Sequence, residues 1–202
     1  MPVFESKLDT KSETYAKNRA DQLEKIAHLR MLEGRAEAAS EKRRPRFEER
    51  GQLTPRDRLA QLLDPGMPFL TLYNMASYCV DDPDRETSIP GGSELAGIGY
   101  ISGVRCMVLV DDSGINAGAA TEMGFRKSME VMRMALANKL PFVHLVESAG
   151  ANLMQYKVEL WAHGGGVFCS LGLAQRGGHS DHDRAARAVN GGRGVYARHV
   201  GL

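Results

Sequence analysis

The chain lacks most of the features that would mark a secreted, membrane-spanning or nucleic-acid-binding protein. It has three cysteines, one tryptophan and a formal net charge of only +1 over 202 residues. Cys79, Cys106 and Cys169 are widely separated and never form a CxxC pair, which argues against a disulfide framework and against a zinc ribbon. They read as buried free thiols, which behave as small apolar groups, so the cytoplasm is the expected compartment. The near-neutral charge gives no reason to expect nucleic acid or a membrane surface as partner. Apolar runs such as Met107–Val110 are far too short to span a bilayer. The first residues, Met1-Pro2-Val3-Phe4-Glu5, lack the basic-then-apolar layout of a secretory leader. No Ser/His/Asp constellation, acidic pair or metal-ligand cluster stands out in residues 1–171, and the isolated His28 and His144 read as structural.

What remains is a soluble globular composition, long enough for one domain with its own core. Residues 11–44 predict a polar helix, on which Leu23, Ile26, Ala27 and Arg30 share a face. An interaction arm is one reading; a solvated helix packed on the body is the simpler one. Thr54-Pro55 supplies an N-cap and a first-turn proline for a short helix that turns Leu59, Leu62 and Leu63 inward and stops at Asp64-Pro65-Gly66. Residues 81–93 are rich in Asp, Pro, Ser and Gly and predict a flexible loop.

From Ile98 the period changes. Gly97–Ile101 and Arg105–Val110 flank Ser102-Gly103, which suits a β-hairpin whose second arm is apolar enough to be covered on both faces. Met123–Lys139 follows at helical spacing through Met129, Met132 and Leu136, and Pro141–Val146 predicts a second buried strand. Strand, helix and strand imply α/β architecture with a parallel pair.

Three glycine-bearing stretches carry chemistry worth weighing. Gly97-x-Gly99-x-x-x-Gly103 fails as a dinucleotide loop: the third glycine falls one place late, and a strand follows where a helix is needed. Ser148-Ala149-Gly150-Ala151-Asn152 follows a buried strand, where small residues let backbone N–H groups approach a ligand or an oxyanion; on local sequence alone a tight strand-to-helix turn is the favoured reading. Gly114–Ala120 is a second small-residue loop that leads into a helix, where a phosphate or CoA could dock or where the chain only changes direction.

The ordered set of these stretches resembles one family. Arg50-Gly51-Gln52-Leu53-Thr54-Pro55-Arg56-Asp57-Arg58-Leu59 with Leu62-Leu63-Asp64-Pro65-Gly66, then Gly97-Ile98-Gly99 with Gly103, the 114–124 loop, and Leu145–Asn152 are similar to the first half of carboxyltransferase (β) subunits of biotin-dependent acyl-CoA carboxylases, of the acetyl- or propionyl-CoA type. The resemblance runs from about residue 15 to 171. It implies an α/β, crotonase-like spiral of ββα units, left incomplete, behind a helical arm at residues 1–50, with the partial carboxyltransferase domain at 51–171. It also implies transfer of CO2 from carboxybiotin, on a biotin carboxylase or biotin carrier subunit, to the α-carbon of an acyl-CoA. A large homo-oligomer is implied as well, with Gly118, Ala119, Ala149, Gly150 and Ala151 along the acyl-CoA side. No catalytic side chain and no metal are carried over. A crotonase-type hydratase would need an acid or base, for which Glu122 and Glu147 are the candidates, and a non-catalytic CoA-binding or subunit-capping module is a further alternative.

Residues 172–202 depart from the family. They contain no Lys, Glu, Ile, Phe or Trp and lose apolar periodicity, and His179-Ser180-Asp181-His182-Asp183 imitates a metal cluster. A one-nucleotide frameshift explains them better. Permitted codons in the shifted frame give Ile-Pro-Thr-Met-Thr-Val-Leu-His-Gly and then Ser-Thr-Ala-Gly-Gly, a strand and the family's oxyanion glycine pair. The tail is therefore expected to be out of frame and disordered, and the chain inactive alone.

Overall fold

The computed structural model describes residues 6–150, Val158, and the strand backbones of 186–190 and 193–197. Helix α1 spans Glu13–Glu41, built from strong helix formers and capped by Ser12, whose hydroxyl accepts from the Tyr15 N–H at 3.2 Å. Its buried residues are Leu32 and Ser40. The face carrying Leu23 and Ile26 does not pack on the body: these side chains stay 46% and 44% exposed. Only the second half of the helix is anchored, by Ser40, whose hydroxyl donates to Asp112 Oδ1 at 2.6 Å, and by Glu33, which accepts from Asn74.

Helix α2 (Arg44–Glu48) and helix α3 (Pro55–Leu62) follow. Thr54 caps α3 as its sequence predicts, accepting from the Asp57 N–H at 3.1 Å. The Arg44 guanidinium forks onto Asp57 at 2.8 and 3.2 Å and ties α2 to α3.

Strands β1 (Leu70–Leu72), β2 (Glu94–Ile101), β3 (Val104–Asp111) and β4 (Phe142–Leu145) lie side by side in that order. β2 and β3 form the expected antiparallel hairpin with Ile101 opposite Val104. Its two-residue turn, Ser102-Gly103, takes positive φ at both positions, the geometry that suits the right-handed twist of the arms. Both turn N–H groups donate to the Asp64 carboxylate at 2.7 Å, so the end of α3 fixes the hairpin tip. β3 and β4 are parallel, Met107 opposite Phe142, and helix α4 (Glu122–Ala137) makes the crossover between them.

Each face of the sheet is covered. On one side Ala96, Met107, Leu109 and Phe142 pack against Val131, Met132 and Ala135 of α4. On the other, Cys106, Val108, Val110, Val143 and Leu145 pack against Leu59 of α3. From Cys106 onward β3 is buried on both sides, which explains the apolar run Cys106–Val110; burying each of its large side chains contributes about 1.5–3 kcal/mol. The inward stripe of α4 runs through Gly124, Lys127, Ser128, Val131, Met132 and Ala135. It is rotated from the expected Met129–Met132–Leu136 stripe, and Leu136 is 37% exposed. The reason is that α4 turns two polar residues, Lys127 and Ser128, toward Glu94.

The 81–93 loop is less free than its composition suggests. Ser88, Pro90, Gly91 and Ser93 are buried, and the Ser88 hydroxyl accepts from the Cys79 N–H at 2.8 Å. Cys106 is buried and Cys79 half-buried, both free; Cys169 lies outside the described residues. Within residues 172–202, Ala186–Asn190 (β5) and Arg193–Ala197 (β6) form a hairpin that pairs with β4, giving the order β1-β2-β3-β4-β6-β5. A free edge at β4 offers unpaired backbone groups, which an added strand satisfies. The 179–183 histidine–aspartate run lies outside the described residues.

Gly97 and Gly99 are seats for side chains. A Cβ on Gly97 would lie 2.4 Å from Phe69 Cζ and 2.6 Å from the Leu70 carbonyl oxygen. Gly97→Ala is therefore expected to destabilise the domain by about 1–3 kcal/mol through overpacking. Urea denaturation checks this; an unchanged midpoint would show that Phe69 is not packed as described.

Candidate functional site

The carboxyl ends of β3 and β4 bring together the two small-residue loops. β3 ends in Asp111-Asp112, and each carboxylate holds several partners. Asp111 Oδ1 lies 3.0 Å from His144 Nε2, and Oδ2 accepts the Glu147 N–H at 3.0 Å. Asp112 Oδ1 accepts from Ser40 and from the Gly114 N–H at 3.1 Å, while Oδ2 faces Arg56 Nε at 3.3 Å. Arg58 reaches from α3 to pair with the buried Glu147 carboxylate. Burial pushes the Arg58 guanidinium below its ordinary range, and Asp112 and Asp111 hold it charged.

From this base the loops run past each other in contact. The Ala149 N–H donates to the Ala117 carbonyl at 3.0 Å, the Ala120 N–H to the Gly150 carbonyl at 2.9 Å, and the Ser148 hydroxyl to the Gly118 carbonyl at 2.6 Å. Gly118 sits at φ +68°, and a Cβ there would lie 2.3 Å from the Glu147 carbonyl oxygen. No other residue fits that position.

The structure thus brings together four of the five residues expected to line the ligand. Gly118 is buried and Ala119 half-buried, while Ala149 and Gly150 are exposed beside the exposed Ala117; Ala151 lies outside the described residues. The N–H groups of Gly118, Ala119, Ala149 and Gly150 all donate within the protein. They form a shelf of small residues whose donors are already engaged. Glu147 is locked to Arg58 and Asp111, and Glu122 pairs with Arg126 at 2.7 Å on the first turn of α4. Sequence reasoning missed Arg58, Asp111 and Asp112 as site-builders. For the two aspartates the signal was present: adjacent acids directly after the apolar run Cys106–Val110, where a buried carboxylate needs partners.

A second feature is a polar cleft of about 430 Å³ between the anchored half of α1 and the hairpin, with Lys127, Glu94, Arg56 and Asp112 on its walls. Lys127 Nζ donates to the Gly91 and Glu94 carbonyl oxygens at 3.2 and 2.5 Å, and the Glu94 carboxylate accepts from Ser128 at 3.0 Å. Burial pushes the Glu94 carboxyl up to about 7 and the Lys127 ammonium down to about 8. Among the described residues no group of three or more His, Cys, Asp or Glu could hold a metal ion.

Hairpin, crossover helix and parallel strand, with small-residue loops at the strand ends, define a crotonase-like α/β unit, as in the β subunit of P. aeruginosa geranyl-CoA carboxylase. That structure superposes with a TM-score of 0.77 at 42% identity, over 87% of this chain and 32% of its own. A family profile described as Carboxyl transferase domain matches residues 46–177, more than half of the chain. The chain belongs to the carboxyl transferase domain family.

A probable biotin-dependent acyl-coenzyme A carboxylase beta2 subunit of Mycobacterium tuberculosis is 37% identical over 126 residues, 62% of this chain and 22% of that protein. A probable mitochondrial methylcrotonoyl-CoA carboxylase beta chain of Drosophila melanogaster is 31% identical over 156 residues, 75% of this chain and 26% of that protein. The chain therefore spans about a quarter of the length of these curated relatives.

The Glu94 carboxyl titrates higher in the folded state than its ordinary 4.5, so between about pH 4.5 and 7 the native state holds a proton that the unfolded chain has released. Stability from this group falls as pH rises through that window. Glu94→Gln is expected to remove the fall, on the order of 1–3 kcal/mol. Asp57 and Asp82, pushed down by their hydrogen bonds, act below this window. Urea midpoints at pH 5 and pH 7.5 check the prediction; parallel shifts in wild type and variant would contradict it.

Proposed function

We propose that this chain supplies the acyl-CoA side of a biotin-dependent carboxyltransferase. The observation that carries the reading is the shelf of small residues where the 114–120 and 147–150 loops cross, at the carboxyl ends of β3 and β4 in a carboxyl transferase domain. A Cβ at Gly150 would meet no described residue within 4 Å, and residues 117–120 and 148–150 carry no ionisable side chain. Such a surface admits a thioester and its pantetheine arm edge-on. Carboxybiotin, carried by a biotin carboxylase or biotin carrier subunit, supplies the CO2 that is transferred to the acyl α-carbon.

Because the shelf N–H groups are engaged, they shape the pocket, and the donors that hold the developing enolate come from elsewhere. The Ser-Thr-Ala-Gly-Gly stretch permitted by the shifted frame is the proposed source. On this reading residues 1–202 alone lack that glycine pair and the biotin-facing half, and are inactive. The whole protein assembles as a homo-oligomer in the cytoplasm. No described helix is long and apolar enough to cross a membrane. The acyl group is of the acetyl or propionyl class by the sequence resemblance. The relatives' names add methylcrotonoyl and geranyl groups to those that an assay should include.

A crotonase-type hydratase is disfavoured, because Glu147 is buried in an ion pair and Glu122 pairs along its own helix. A non-catalytic module that binds CoA or caps a full-length subunit keeps the shelf and drops the chemistry.

Purified residues 1–202 are expected to transfer no label from carboxybiotin to acetyl-, propionyl-, methylcrotonyl- or geranyl-CoA. Re-reading the DNA across codons 165–202 is expected to find a shifted frame that encodes Ser-Thr-Ala-Gly-Gly and stays open. Turnover by the chain alone would overturn the inactivity, and a shifted frame that closes at once would make the tail genuine.

A further inference from the structure

Arg58 lies in the 50–59 stretch without a role of its own so far, yet it is more enclosed than its neighbour Arg56. Its side chain is 15% exposed and that of its partner Glu147 6%. α3 holds it rigidly: Thr54 caps the helix, Arg44 clamps Asp57, and Leu59 is embedded in the core beneath β3. Glu147 is fixed through three separate groups. Its N–H is held by Asp111, its carbonyl oxygen is the surface on which Gly118 packs, and its carboxylate is held by Arg58. The shelf begins at the next residue.

Charge makes the arrangement conditional. Asp111, Asp112 and Glu147 converge on one another, and Arg56 and Arg58 are the guanidinia among them. Without Arg58, three carboxylates face one guanidinium, and a buried carboxylate left without its partner is expelled or protonated. Of the three, Asp111 and Asp112 are tied down by neutral donors as well. The Glu147 carboxylate has only Arg58 described beside it, so Glu147 is the group that moves.

We infer that Arg58 is a positioning residue for acyl-CoA: its ion pair with Glu147 sets the height of the 148–150 backbone over Gly118 and so the shape of the shelf. The acyl-CoA part rests on the function proposed above; the lock itself does not. A purely structural Arg58 would hold α3 to the sheet, and its loss would loosen the whole domain evenly.

The test measures amide hydrogen exchange and acetyl-CoA binding by titration calorimetry on residues 1–202, in wild type, Arg58→Met, Arg58→Lys and Glu147→Gln. The expected result for Arg58→Met is exchange about tenfold or more faster at Ala149 and Ala120, with Met107–Val110 within about twofold of wild type. Acetyl-CoA affinity should fall by about tenfold or more, and Arg58→Lys, which keeps the charge, should recover part of both. Glu147→Gln, close in shape to the native residue, gives the same readouts if Arg58→Met does not fold. Even acceleration across the domain, or unchanged exchange at Ala149 and Ala120, would overturn the inference. So would loosened loop amides with undiminished acetyl-CoA affinity. Wild type that binds no acetyl-CoA, with loop amides that still respond to Arg58→Met, would leave the lock standing and remove the proposed function instead.

Discussion

Asp111 and Asp112 end the most buried strand of the sheet, and the arrangement of the loops depends on what those two carboxylates hold. One side chain reaches back to Ser40 and fixes the base of α1; the other reaches forward to the Glu147 N–H and fixes where β4 ends. Two acids at the end of a dry strand carry a desolvation cost that hydrogen bonds and guanidinia must offset. Arg56, Arg58, His144, the Gly114 N–H and the Ser40 hydroxyl supply them. The result is a rigid polar floor beneath two crossing backbones. Gly118 completes it by removing the one side chain that would hold the loops apart.

This explains a site with so few candidate catalytic groups. The titratable residues near the loops are spent on holding backbone in place. What they present above is small and uncharged. In the cleft under α1, Lys127 joins α4 to the end of the 81–93 loop through the Gly91 and Glu94 carbonyl oxygens, and the neighbouring Ser93 hydroxyl donates to the Ala119 carbonyl.

Much of this was legible in residue order. Thr54-Pro55 announced α3, Ser102-Gly103 the hairpin turn, and the apolar run from Cys106 the doubly covered strand, because each rests on a local rule of backbone or burial. The small-residue loops were legible as loops, and the set of motifs gave the family. Other features were set by distant partners. The stripe of α4 turned toward Glu94, which lies 33 residues before Lys127. Leu23 and Ile26 share a helical face, but no part of the described body faces them. β1 was too short to show a period, and Arg58 reads as one charge among many until Glu147 is placed beside it.

The crossing of the 114–120 and 147–150 loops is proposed as the surface that meets acyl-CoA. Titrating isotope-labelled protein with acetyl-CoA and following backbone amide shifts tests it most directly. The largest shifts are expected at Gly118, Ala119, Ala149 and Gly150, with free CoA perturbing them less. Shifts centred instead on Gly91, Glu94 and Lys127 would move the site to the cleft beneath α1 and contradict it.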